Sequence, residues 1–188
     1  ALGVIYLEEK HYQVALKYFQ ESFKKQQLEE VSMKRIVEIF LYLNNIEKAK
    51  DTCALILKKY PSLQNTIALA KILEKQKLWV QACLVYRSTA NLYPKSEILW
   101  LSWGEACIHC GNWPDAQDAF RHVLDLSSKN YNALVGIGTT YQNLDQHKRA
   151  LSSFLKAIEI IPDSPHVLIF IGIAYNNLGE YEKALHFL

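Results

Sequence analysis

At 188 residues, half of them hydrophobic, the chain is long enough to bury a sizeable core and too apolar for disorder. Its 21 Lys plus Arg nearly balance 19 Asp plus Glu, so no strong field draws it to nucleic acid or an anionic membrane. Seven Gly and five Pro suit long helices better than a β-sandwich, and the longest apolar run, Val167 to Tyr175, is far short of the ~20 residues that span a bilayer.

Six alanines recur along the chain: Ala15, Ala49, Ala82, Ala116, Ala150 and Ala184, with gaps of 34, 33, 34, 34 and 34 residues. A fixed period of this size marks stacked repeats, each a supersecondary unit that buries its apolar face on its neighbours. The predicted units are 1–29 (partial), 30–62, 63–96, 97–130, 131–164 and 165–188 (partial), together one continuous repeat domain.

The first unit carries Gly3, Tyr6, Ala15 and Phe19; the second, Val37, Phe40, Ala49 and Pro61; the third, Ala70, Ala82, Tyr86 and Pro94. In the fourth, Ile98, Leu99, Leu101, Trp103, Ala106 and Ile108 follow a helical spacing from Glu97. Gly111 and Asn112 break that helix and Pro114 opens the next, where a missing N–H costs nothing. The second helix carries Ala116, Ala119, Phe120, Val123, Leu124 and Leu126. The fifth unit repeats the pattern with Gly138, Tyr141, Ala150, Phe154, Ala157 and Pro162. The last opens at Ser164-Pro165, a cap followed by Pro at the first helical position, and carries Gly172, Tyr175 and Ala184.

Trp100, Gly104, Ala116 and Phe120, followed one period later by Gly138, Tyr141, Ala150, Phe154, Ala157 and Pro162, carry a resemblance to the tetratricopeptide repeat (TPR) family over essentially the whole chain. The resemblance implies an all-α, right-handed α-solenoid. The small slots Gly3, Ala70, Gly104, Gly138 and Gly172 are expected where the two helices of a unit cross, with the period-marking alanines opposite. Units 30–62 and 63–96 depart from the pattern, with Val37 in a small slot, Cys53 in an aromatic one, and Lys77 at a turn that often takes Gly. Altered crossing angles or an irregular joint are expected there.

Chemistry finds little to work with. Cys107, His109 and Cys110 cluster, but no second Cys/His pair follows at zinc-finger spacing, and the motif ends a helix rather than starting one beside a strand. Core packing is the expected role of Cys107. No nucleophile elbow, phosphate-cradling loop or HExxH is present. The expectation is no catalytic residue, no cofactor and no metal, hence no enzyme in this segment.

In TPR proteins the first helix of each unit lines a concave groove that takes peptides or partner helices. The resemblance places Ile67 and Lys71, Ile98, Leu101 and Glu105, Asn132, Val135, Thr139 and Asn143, and His166, Ile169, Ile173 and Asn177 on that face. The apolar stripe Ile67, Leu101, Val135, Ile169 is either the edge of the inter-helix core or a strip that accepts a hydrophobic segment. Chaperone-binding members clamp a C-terminal carboxylate with Lys, Asn, Asn, Lys and Arg. The matching slots here read Lys34, Glu38, Ala68, Ile98 and Ser102, or Ile67, Lys71, Ser102, Asn132 and Gly136, and supply no such clamp.

The expected function is a non-catalytic interaction scaffold that binds a protein or peptide partner, either as a subunit of a large assembly or as a transient linear-peptide adaptor. The other class is the substrate-recruiting arm of an enzyme whose catalytic domain lies elsewhere. Neither nucleic acid nor membrane insertion is expected; self-association through a hydrophobic terminal unit stays open. The cysteines, placed in helical patterns rather than loops, favour an intracellular, cytoplasmic setting, with a nuclear or ciliary one compatible.

Overall fold

The computed structural model describes residues 2–24 and 29–187; the parts of the predicted units that fall on residues 1, 25–28 and 188 lie outside it. The described residues form twelve helices and no strand. They are α1 (Leu2–Glu8), α2 (Tyr12–Lys24), α3 (Glu29–Tyr42), α4 (Ile46–Lys59), α5 (Leu63–Lys75), α6 (Trp79–Ala90), α7 (Glu97–His109), α8 (Trp113–Leu126), α9 (Tyr131–Asn143), α10 (His147–Ile160), α11 (Pro165–Asn177) and α12 (Tyr181–Phe187). They fall into two compact units, one ending at Val85 and one beginning at Tyr86, so that α6 spans the division.

In the first unit α1 packs on α2, α2 on α3, α3 on α4 and α4 on α5. In the second α7 packs on α8, α8 on α9, α9 on α10, α10 on α11 and α11 on α12. Within each unit these helices therefore rest on their neighbours in sequence, as a helix–turn–helix repeat requires.

One turn recurs between the paired helices. Lys10, Asn44, Lys77, Gly111, Asp145 and Gly179 all have φ between +56° and +78°. After each, a backbone N–H reaches five residues back: His11 to Tyr6, Asn45 to Phe40, Leu78 to Leu73, Asn112 to Cys107, Gln146 to Tyr141 and Glu180 to Tyr175, at 2.8–3.0 Å. This is the Schellman end, which needs one left-handed residue. Glycine supplies it twice; elsewhere the turn persists without glycine.

The next helix is then capped locally. Asn45, Ser62, Asn112 and Asn130 each accept a hydrogen bond from a backbone N–H of the first helical turn. Ser164 makes no such bond; its hydroxyl lies 2.6 Å from Tyr131 Oη instead. The cap expected there is a link between α11 and the start of α9.

All six period-marking alanines are buried. A Cβ at Gly104 would lie 2.8 Å from the Phe120 ring, one at Gly138 2.5 Å from Phe154, and one at Gly3 3.2 Å from Phe19. The aromatic residue sixteen positions later, one turn beyond the period-marking alanine on the second helix, reaches into the space the glycine leaves. Gly136, on α9, meets the same Phe120 ring, which a Cβ there would strike. Phe120 is thus held between its own repeat and the next.

Candidate functional site

Helix geometry divides α9 into two faces. Ala133, Leu134, Ile137 and Tyr141 are buried; Asn132, Val135, Thr139 and Asn143 point the other way and stay exposed or half-buried. One period earlier, on α7, Leu99, Trp103, Ala106 and Cys107 are buried while Ile98, Leu101 and Glu105 lie on the outer side. One period later, on α11, Val167, Ile171 and Ala174 are buried while His166, Ile169, Ile173 and Asn177 lie outward. Since α9 touches both α7 and α11, these three outer faces adjoin. Ile67, half-buried, and Lys71, exposed, occupy the corresponding face of α5 in the first unit.

The joined face is apolar in the middle and polar around it. Ile98 is 52% exposed and Ile169 48%, while Leu101, Val135 and Ile173 are half-buried. Its polar groups differ in readiness. The Thr139 hydroxyl donates to Val135 O at 3.0 Å and the Asn143 amide to Thr139 O at 2.9 Å, so both are turned onto their own helix. Asn132, His166 and Asn177 are exposed.

The Cys/His cluster has no ligand geometry. Cys107 is fully buried and Cys110 Sγ donates to Cys107 O at 3.4 Å. Among the described residues no group of three or more His, Cys, Asp or Glu is placed to hold a metal ion. In the other unit, burial pushes the Cys53 thiol up to about 12, which keeps it neutral and unreactive at ordinary pH. Among the described residues no helix is long and apolar enough to cross a membrane.

The family model for the coatomer epsilon subunit matches residues 1–170. The chain belongs to the coatomer epsilon subunit family. This family member is also 24% identical over 165 residues to the BBSome complex member BBS4 homolog of Drosophila melanogaster, a match covering 87% of the chain and 34% of that relative. The chain thus spans about a third of the length of the curated relative it matches. Among solved structures it is similar to the MamA protein, with a TM-score of 0.70 at 20% identity, covering 84% of this chain and 87% of that one. It is also similar to YrrB, described as a TPR protein with an unusual peptide-binding site, with a TM-score of 0.67 at 15% identity and coverage of 90% and 88%. The fold is the TPR α-solenoid that the resemblance implied.

Sequence reasoning missed two features. Gly136 appeared only as a failed clamp position, yet it makes room for Phe120. Its slot holds Ser102 one period before and Phe170 one period after, and Phe170 stacks on Phe154 at 5.2 Å. The glycine facing Phe120 was therefore visible only by comparing adjacent periods. The second is the Trp100–His122 stack, with ring centroids 3.9 Å apart, which joins residues on α7 and α8 that no local motif links.

Proposed function

We propose that this member of the coatomer epsilon subunit family is a non-catalytic scaffold that binds a partner polypeptide through the outer faces of α7, α9 and α11, as part of a multiprotein assembly. The observation that carries the reading is the exposure of Ile98 and Ile169 beside half-buried Leu101, Val135 and Ile173. Contiguous apolar surface on a soluble helical array is costly to leave in water and marks interaction sites. Asn132, His166 and Asn177 at its margin supply orientation rather than affinity. The family and the Drosophila relative are both named as parts of assemblies, which supports the subunit role.

In this reading the units 1–29, 30–62, 63–96, 97–130, 131–164 and 165–188 act as one repeat region, in the cytoplasm, with Ile67 and Lys71 offering a corresponding patch on α5. The test is a pull-down with the intact chain and with a Leu101→Glu, Val135→Glu double variant whose helicity and thermal unfolding match the parent. Partners held by the parent should be lost from the variant. An unchanged partner set would remove this face from the proposal.

A further inference from the structure

A second surface of the same unit stands out when two neighbouring grooves are compared position by position. Over α7, Trp100 stacks on His122, whose Nε2 lies 2.6 Å from Pro94 O. Asp115, on the same face of α8 as His122, accepts from the Asn112 amide at 2.9 Å and lies 3.8 Å from Arg87. Here the slot holds an indole, and its carboxylate has partners of its own.

One period later the same slots hold Leu134 for Trp100, Lys156 for His122 and Arg149 for Asp115. Leucine is too small to fill the space an indole occupies. A groove of about 370 Å³ remains between α8 and α10, floored by Leu134, Ile137 and Tyr141 of α9 and flanked by Leu124. Its α10 wall presents Lys148, Arg149 and Lys156. Arg149 lies 4.3 Å from the Tyr141 ring centre and donates to Gln146 at 2.8 Å. Among the described residues none of these three cations meets a carboxylate.

We propose that this groove binds an acidic segment of a partner protein bearing one large apolar side chain. That side chain enters over Leu134, in the place Trp100 holds one period earlier, and flanking carboxylates meet Lys148, Arg149 and Lys156. An apolar floor beside uncompensated cations is complementary to such a segment in both shape and charge. The floor residues lie on the face of α9 opposite Val135 and Thr139, so this surface is separate from the one proposed above.

The probe is a short fluorescent peptide of Asp and Glu around a single Trp, titrated into the full chain and followed by anisotropy. The parent should bind it saturably and more weakly as salt rises. Lys148→Glu with Lys156→Glu should weaken binding about tenfold or more, and Leu134→Trp, which restores the plug, should do likewise. Leu101→Glu with Val135→Glu should leave the affinity unchanged, which keeps this result distinct from that of the first surface. Equal binding by the Lys148→Glu, Lys156→Glu protein overturns the proposal. So does equal binding of a Trp→Ser peptide, absence of binding to the parent, or binding of phosphatidylserine vesicles in place of the peptide. Should Leu134→Trp fail to fold, the charge-reversal variant, which alters only exposed side chains, decides alone.

Discussion

In the unit that begins at Tyr86, α7–α8 and α9–α10 each close on the same contact, Gly104 under the Phe120 ring and Gly138 under Phe154, with both rings fully buried. In the unit that ends at Val85, α3–α4 fills those two slots with Val37 and Cys53, and both are buried as well. The larger residue has moved from the second helix to the first. A repeat thus tolerates loss of its signature pair when the combined volume is roughly kept, as cores generally do.

Truncation separates the two repeats most. Phe154→Ala removes a whole ring from a site walled by helices on both sides, and should cost about 3–5 kcal/mol. Cys53→Ala removes a single sulfur and should cost about 1 kcal/mol, near the centre of the range for point substitutions. Urea unfolding of both variants gives the two values. Equal costs would mean that the two slots are not equivalent and that the period is misaligned across residues 30–62.

The two slots can also be exchanged. Val37→Gly alone leaves a void and adds a helical glycine; Cys53→Phe alone overpacks against Val37's helix. Each should destabilise by about 1–3 kcal/mol. Together they recreate the Gly and Phe of the other unit, so the double variant should recover about 0.5–3 kcal/mol relative to the sum. Additive losses would show that the two slots do not face each other in α3–α4.

These packing positions were legible because close approach leaves few residue types that fit. Where two helices nearly touch, glycine or alanine is demanded, and the 34-residue spacing of Ala116, Ala150 and Ala184 makes the demand visible. The outer faces are under no such demand. Ile98 and Leu101 are both apolar and lie three residues apart, yet one is mostly exposed and the other half-buried, a difference that depends on the neighbouring helix. The groove over Leu134 was hidden for a related reason. Leu134 in place of Trp100 reads as one apolar residue for another, and the space it opens appears only when α8, α9 and α10 are placed together.

The smallest effect concerns the turns. Gly111 and Gly179 adopt φ of +73° and +78° without steric penalty, whereas Lys77 and Asp145 hold the same conformation at +59° and +56° with a Cβ present. For an L-residue that conformation costs about 1–2 kcal/mol. Glycine relieves the strain but loses more entropy on folding, which returns part of the gain. Lys77→Gly in the first unit should therefore stabilise by about 0.5–1 kcal/mol. Asn44→Gly and Asp145→Gly should gain less, because asparagine and aspartate already tolerate the left-handed region. Thermal unfolding of the three variants separates the cases. A loss of stability at Lys77 alone would mean that its side chain, and not only its backbone, holds α5 to α6; a loss at both Lys77 and Asp145 would mean that the left-handed residue is not where these turns store their strain.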